Sequence, residues 1–167
     1  KELTGVVTYG SPASPSLCIG VCGPECKDMV IELNRLCLLH NKKNEASYLV
    51  ANSLKLLPRP MIVVSYADTS MKHTGYVYQA CNFIYTGKTV ARTDVDTGDK
   101  HSRHYQGLDM SKRKQRYEKH RYIYFLGSKK DRRDLRKKLR YEEQDYPKTA
   151  SEKYIADHKP QVQGILF

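Results

Sequence analysis

The sequence predicts a single domain of the α/β or α+β class, in which helices flank one central sheet. Apolar strand patterns alternate with helical patterns through the middle of the chain, and a further strand and helix follow in residues 120–140. No internal repeat divides the chain. With 167 residues it is long enough to bury a real core.

The first half reads as two strands, a helix and a third strand. KELTGVVTYG and MVIELNRLCLL have strand patterns, and the Pro-, Gly- and Ser-rich SPASPSLCIGVCGPE between them is predicted to be a loop. NEASYLVANSLKLL carries an apolar stripe at helical spacing, with Asn44 as the predicted N-cap and Pro58 as the stop. MIVVSYAD is apolar nearly throughout, which is typical of a strand buried on both faces.

The second half continues with shorter elements. TGYVYQACN is compatible with a short helix, FIYTGKTVA and RYIYFLG with strands, and the polar residues 93–118 with a mobile loop. SKKDRRDLRKKLR predicts a helix that begins at a capping box formed by Ser128 and Asp131. The residues from Tyr141 onward are weakly patterned, and we expect them to wrap the surface or an adjoining chain.

The positive charge is concentrated in one segment. Residues 111–140 hold 14 Lys and Arg against 3 acids, which accounts for the whole net charge of +11. Tyrosines are interleaved with these cations. Such a segment suits nucleic acid, because the cations can contact the phosphate backbone and the aromatic rings can stack on an exposed base. A solvated basic face, or a surface for another polyanion, is the alternative. The cations predicted to contact DNA are Lys119, Arg121, Lys129, Lys130, Arg132, Arg133, Arg136, Lys137 and Arg140.

The cysteines and histidines do not predict a metal site. Five cysteines form an odd set without secretory context, which favours reduced thiols in a cytoplasm. The triplet in CIGVCGPEC has the wrong spacing for zinc and is interrupted by Gly and Pro. His101 and His104 lie three apart in a polar segment, which alone does not make a metal site. No run is long and apolar enough to span a bilayer, so no membrane partner is expected.

Two places in the chain suggest chemistry. The loop HNKKNEAS precedes the central helix, and free amides at a helix N-terminus bind phosphate whether or not glycine is present. An ordinary strand–helix connection is the alternative. Asp68 ends a predicted buried strand, where α/β proteins often place ligand groups, and Tyr78 follows in a short helix. A helix cap and a core aromatic are the alternatives for these two residues.

Taken together, the segments resemble the core of the GCN5-related N-acyltransferases (GNATs). The order is strand VIELNRLCL, helix NEASYLVANSLKLL, strand IVVSYAD, helix GYVYQACN and strand FIYTG. More closely, the chain resembles the phage Mom-like branch over most of residues 3–148. The carrying phrases are TGVVTYGSPAS, ELNRLCL, NEAS, SYAD, GYVYQACNFIYTG and KHRYIYFLGSKKDRRDLRKKLRYEEQDYPK. The resemblance implies a mostly antiparallel central sheet flanked by helices, in a core of residues 1–148 with a tail of residues 149–167.

The same resemblance implies a function and a set of site residues. The prototype of the Mom-like branch converts adenine in phage DNA to a carbamoylmethyl derivative, which shields the DNA from restriction. Arg35, Ser47, Asp68 and Tyr78 match positions expected to carry function. Arg35 would bind a phosphate or anionic intermediate, Ser47 cofactor or substrate, Asp68 the exocyclic amine, and Tyr78 would act as general acid. The implied cofactor is acetyl-CoA or a related acyl donor, held by Asn44, Glu45, Ala46 and Ser47.

The resemblance also implies a segment before the opening strand. In relatives this segment supplies a first strand, helices and a His-Tyr pair suspected of binding iron, and we expect this chain to lack them. The expected partners are double-stranded DNA and a companion N-terminal segment or second copy, in the cytoplasm of an infected bacterium. Alternative readings are a non-catalytic DNA- or host-protein-binding protein, or an acyltransferase acting on a small amine or protein lysine.

Overall fold

A computed structural model describes residues 2–98, 107 and 109–148 of the chain. Its centre is a five-stranded sheet in the order β1-β2-β3-β7-β4, and a separate two-stranded sheet pairs β5 with β6. The strands are Gly5–Gly10 (β1), Val30–Leu38 (β2), Met61–Asp68 (β3), Ile84–Lys88 (β4), Arg92–Val95 (β5), Arg113–Arg116 (β6) and Lys119–Leu126 (β7). Within the larger sheet, β2 and β3 are parallel and the other neighbours are antiparallel.

Helices cover both faces of the sheet. They are Pro15–Cys22 (α1), Glu45–Leu56 (α2), Tyr76–Ala80 (α3) and Lys129–Lys137 (α4), with 3-10 turns at Pro24–Met29 and Thr69–Met71. Residues of α2 and α3 share one buried cluster with the sheet, on what we call the α2 face. Residues of α1 and α4 share the other cluster, on what we call the α1 face. The predicted class, a mixed α+β domain with a mostly antiparallel sheet flanked by helices, is confirmed.

Strand β3 lies at the centre of both clusters. Ile62, Val63 and Val64 are fully buried. Because side chains alternate along a strand, Val63 packs on the α2 face while Ile62 and Val64 pack on the α1 face. The prediction that this strand is buried on both faces is confirmed. A layer of helices buries the apolar surface of each face of the sheet. This burial is the main source of stability in such a domain.

The predicted loop SPASPSLCIGVCGPE is wrong, because its central part forms α1. The Ser14 side chain accepts a hydrogen bond from the Leu17 amide, Pro15 stands at the start of the helix, and Gly23 at φ 97° ends it. These are ordinary helix start and stop signals, which the density of Gly, Pro and Ser concealed. Gly20 also has a packing reason, since a Cβ there would lie 2.6 Å from the Tyr141 hydroxyl.

The predicted mobile loop over residues 93–118 is also wrong in part. Both ends of this segment form strands, β5 and β6, whose side chains are too polar to give an apolar strand pattern. His101 and His104 lie outside the described residues, so the interpretation of that pair stays a prediction. In the described part of the chain, no helix has the length and apolarity needed to cross a membrane.

The remaining helix predictions are largely confirmed. The Ser128–Asp131 capping box begins α4, with both reciprocal hydrogen bonds present. Asn44 does precede α2, but its side chain caps nothing, so that detail is wrong. Asn44 instead adopts the left-handed conformation at φ 64°, which Asn tolerates better than most residues.

The last described residues dock on the edge strand β4. The Gln144 amide donates to the Tyr85 carbonyl at 2.9 Å, and the Tyr146 hydroxyl donates to the Phe83 carbonyl at 2.7 Å. Residues 141–148 therefore wrap the surface as expected. The predicted tail of residues 149–167 lies outside the described residues.

Candidate functional site

The sheet opens between its two parallel strands. The ladder joins Val30–Leu33 to Ile62–Ser65 and stops there, although β2 continues to Leu38 and β3 to Asp68. Beyond that point β2 pairs with β1, and β3 pairs with β7. We call this gap, between residues 34–38 and residues 66–68, the splay. Ligands of open sheets commonly bind where neighbouring parallel strands end.

Tyr78 lies at the splay on the α2 face. Burial raises the pKa of its hydroxyl, and the adjacent Ser65 side chain lowers it in part. The Ser65 hydroxyl is itself fully buried and donates to the Leu33 carbonyl at 3.0 Å, across the last rung of the ladder. The Tyr78 ring lies against Phe83 and Tyr122, with centroids 5.5 and 5.3 Å away. Tyr78 is therefore a fixed, neutral phenol at physiological pH.

Tyr9 and Ser53 form a hydrogen-bonded pair on the same α2 face, near Tyr78. The Tyr9 and Ser53 hydroxyls are 2.6 Å apart, and Ser53 donates to the Val50 carbonyl, so Tyr9 is the donor of the pair. This bond ties β1 to α2 beside the Tyr78 ring system. Neither residue was singled out from the sequence, where each resembles an ordinary core or helix residue.

The start of α2 adjoins Tyr78 through Cys81. The Cys81 thiol donates to the Ser47 carbonyl at 3.5 Å, and Ser47 donates its hydroxyl to the Asn44 carbonyl at 3.1 Å. Among the described residues, no group accepts from the Ala46 or Ser47 amides. Two free donors at the N-terminus of a 12-residue helix can bind an anionic group. Ser47 and Tyr78 thus lie on the same side of the sheet.

Glu45 has a structural role in the same turn. Its carboxylate accepts a hydrogen bond from the Lys42 amide at 2.8 Å and so fixes the loop before the helix. It is an acid in the first turn, which also stabilises the helix dipole. Of the four residues predicted to hold a cofactor, Ala46 and Ser47 offer amides and Glu45 already has a partner.

Asp68 lies on the opposite, α1 face. Its Oδ1 accepts from the Ser70 amide at 3.0 Å and the Ser70 hydroxyl at 2.6 Å, and its Oδ2 lies 3.2 Å from the Lys119 ammonium. Burial by itself would raise the pKa of Asp68, but the Ser70 hydrogen bonds and the Lys119 charge together lower it. Asp68 therefore caps the Thr69–Met71 turn and is ionised at neutral pH.

Glu32 links Asp68's neighbourhood to Arg35. Burial raises the pKa of Glu32, while the charges of Lys119 and Arg35 oppose the rise. Arg35 is exposed, pairs with Thr8 across the β1–β2 ladder, and donates to the Asn34 carbonyl at 2.8 Å. The sequence does offer a signal for Glu32, because it is a carboxylate inside an otherwise apolar strand, but the strand pattern alone does not assign it a role.

The four predicted catalytic residues thus form two pairs. Ser47 and Tyr78 lie on the α2 face, and Arg35 and Asp68 lie on the α1 face. Asn34 is an extra residue in β2, opposite the irregularity between Thr8 and Tyr9, and it shifts Arg35 to the α1 face. Tyr78 and Asp68 lie on the two faces of the sheet near the point where the β2–β3 ladder ends.

Comparison with known protein families shows which family the chain belongs to. The profile of the Mom protein family matches residues 1–148. The chain belongs to the Mom protein family. Membership indicates a phage protein of DNA modification, which serves to counter restriction. A comparison with curated proteins gave no match.

The basic surface of this Mom-family chain lies largely on α4. Lys129, Lys130, Arg132, Arg133 and Lys137 are exposed. Four of the predicted DNA contacts have partners within the protein. One is Arg133, whose Nε lies 3.7 Å from the Asp134 Oδ1 atom. Lys119 pairs with Asp68, Arg121 lies 3.3 Å over the Tyr141 ring and donates to Thr86, and Arg136 binds both oxygens of Glu143. The sequence alone does not distinguish the cations that face solvent from those that have partners within the protein.

A cavity of about 250 Å³ in this Mom-family chain does not coincide with the splay. It lies between α2, the end of α3 and β7, and Lys55 and Arg59 stand at its rim. The cavity contacts Leu126, which pairs with the first residue of β3, whereas the splay borders the last residues of that strand. All five cysteines are free thiols, and the described residues contain no cluster of His, Cys, Asp or Glu able to hold a metal.

Proposed function

We propose that this Mom-family chain transfers an acyl-type group from a coenzyme-like donor to the N6 amine of adenine in DNA, on a GNAT-like scaffold. The observation that carries the proposal is the splay between parallel strands, bordered by Tyr78 on one face and Asp68 on the other. Because β2 and β3 no longer pair there, a donor on one face and a base on the other would meet at this place. Resulting N6 modification would protect phage DNA from restriction.

The α2 face is the proposed donor side. The Ala46 and Ser47 amides would bind a phosphate of acetyl-CoA or a related donor, and the helix dipole adds to their attraction. Lys42 and Lys43 are exposed just before the helix and add positive charge. These features fit an anionic donor although the loop contains no glycine.

The α1 face is the proposed base side. An adenine inside a duplex cannot reach a half-buried carboxylate, so the target base would have to leave the stack. The ionised Asp68 accepts hydrogen bonds, which suits it to hold the N6 amine. Its lowered pKa makes it a weak base, so orientation of the amine is its main role.

In the proposed reaction, N6 forms a bond to the donor carbon while the bond from that carbon to the leaving group breaks. Tyr78, whose raised pKa keeps it protonated, supplies a proton to the leaving group. The proton lost from N6 passes to solvent on the Asp68 side, and solvent reprotonates Tyr78. Arg35 is exposed near the same edge and would stabilise negative charge on the transferred group.

The test is the nucleoside content of DNA from bacteria that express the protein. After complete digestion, mass spectrometry is expected to find a modified deoxyadenosine. Tyr78→Phe should abolish that nucleoside, whereas Tyr76→Phe should leave it, because Tyr76 is an exposed tyrosine of the same helix. Only canonical nucleosides from cells expressing the wild-type protein would overturn the proposal.

A second candidate is a DNA-binding protein without catalysis. The exposed cations of α4 favour it, since they need no reaction site to attract a phosphate backbone. Strong, salt-dependent duplex binding together with unmodified DNA would support this candidate over the first.

A further inference from the structure

The ribbon formed by β5 and β6 stands apart from the rest of the fold. It is antiparallel and shares no ladder with the five-stranded sheet. All four residues of β6, Arg113, Lys114, Gln115 and Arg116, are exposed. A strand that buries neither face contributes little to the core, so its cations are not explained by packing.

The base of the ribbon is fixed beside the candidate site. The Thr89 amide donates to the Lys119 carbonyl at 2.8 Å, and the Lys119 amide donates to the Thr89 hydroxyl at 3.0 Å. The Thr69 hydroxyl donates to the Glu118 carbonyl at 2.7 Å, which ties the ribbon to the turn that Asp68 caps. The ribbon therefore begins next to the Asp68–Lys119 pair.

One face of the ribbon has a surplus of cations. Arg92 stands directly opposite Arg116, and Lys114 opposite Asp94. Asp94 bonds to both arginines, at 3.3 Å from Arg92 and 3.0 Å from Arg116, so one carboxylate faces three cations. Directly opposed like charges destabilise a ladder. An external anion would offset that repulsion.

We propose that the β5–β6 ribbon binds along the major groove of duplex DNA, with Arg92, Lys114 and Arg116 at the phosphates that flank the groove. The major groove, about 12 Å wide, admits a two-stranded ribbon, whereas the minor groove is about half as wide. Arg113 is six residues from Lys119, a reach of up to about 20 Å along the strand. A duplex on the ribbon therefore passes beside Asp68. This inference rests on DNA being the substrate, as proposed above, and adds where the duplex lies.

The test measures duplex binding by the full chain at several salt concentrations. The triple variant Arg92→Gln/Lys114→Gln/Arg116→Gln is compared with Lys27→Gln/Lys55→Gln/Arg59→Gln, which removes three exposed cations elsewhere. We expect the ribbon variant to weaken binding at least tenfold and to lower the slope of log K against log salt by about 2–3, because each phosphate contact contributes about 0.9. The control should stay within twofold of wild type, and circular dichroism checks that both variants are folded.

Two further arms assign the partner and the groove. A duplex with bulky groups at pyrimidine C5, which fill the major groove, is expected to bind wild type weakly and to remove the difference between wild type and ribbon variant. The inference would be overturned if the two triple variants bound ordinary duplex equally well. It would also be overturned if the ribbon variant lost as much affinity for polyglutamate as for duplex DNA. A different pair of results would separate the two proposals. If the ribbon variant lost duplex binding and the wild type produced no modified nucleoside, the ribbon assignment would stand and the proposed chemistry would be overturned.

Discussion

Asp68 and Lys119 stand directly opposite each other on β3 and β7, and the Asp68 Oδ2 atom lies 3.2 Å from the Lys119 Nζ atom. Ser70 occupies the other carboxylate oxygen through its amide and hydroxyl. The carboxylate is thus held both by its own turn and across the sheet. It gives the α1 face of the splay a fixed negative charge next to a strongly basic surface.

This arrangement predicts how stability depends on pH. The pKa of Asp68 is lower in the folded state than its ordinary value, so its contribution is complete above an unfolded pKa of about 3.9 and is lost as pH falls through the folded pKa. The difference in unfolding free energy between wild type and Asp68→Asn should be constant at neutral pH and shrink below about pH 4. Urea unfolding at a series of pH values measures it.

The raised pKa of Tyr78 predicts a flat response of the reaction rate at mildly alkaline pH. Burial keeps the phenol protonated beyond its ordinary value of about 10, so loss of that proton should not slow modification up to pH 9. Tyr78→Phe should lower the single-turnover rate on a duplex oligonucleotide by about 100-fold or more. A fall in wild-type rate with a midpoint below pH 9 that disappears in Tyr78→Phe would contradict this assignment.

Gly75 is expected to tolerate no side chain. It has φ 78°, and a Cβ would overlap the ring of Tyr122. Gly75→Ala should therefore cost both left-handed backbone strain and displacement of a core ring, about 2–5 kcal/mol in total. Gly98 has φ 59° with no atom within 4 Å of a Cβ, so Gly98→Ala should cost only about 1–2 kcal/mol. Denaturant unfolding compares them, and equal losses would contradict the packing argument.

Two arginines of α4 should differ in what their removal changes. Arg132 is exposed, so Arg132→Gln should weaken DNA binding and lower the salt slope by about 1 while leaving stability unchanged. Arg136 forms a two-point ion pair with Glu143, so Arg136→Gln should mainly loosen the segment after α4. Binding titrations and hydrogen exchange of residues 141–148 separate these effects. The reverse pattern would place Arg136 rather than Arg132 at the DNA.

Elements with a strong apolar period or a complete cap could be predicted from the sequence. The apolar run of β3 and the Ser128–Asp131 box of α4 are examples, because burial and capping act over a few neighbouring residues. Helix α1 was missed although Ser14 and Pro15 are good start signals, since Gly20 and the nearby Pro and Ser favour a loop. Strands β5 and β6 were missed because an exposed ribbon needs no apolar alternation.

By itself, the sequence determined the segregation of charge into residues 111–140 and the buried central strand. It also determined that Asp68 ends that strand and that Tyr78 lies in the short helix that follows. Only the tertiary structure decided that these two residues lie on opposite faces. That outcome depends on long-range pairing: β7 inserts between β3 and β4, and the β2–β3 ladder stops at Leu33 and Ser65. The extra residue Asn34 likewise sets the face on which Arg35 lies, and no local pattern encodes this.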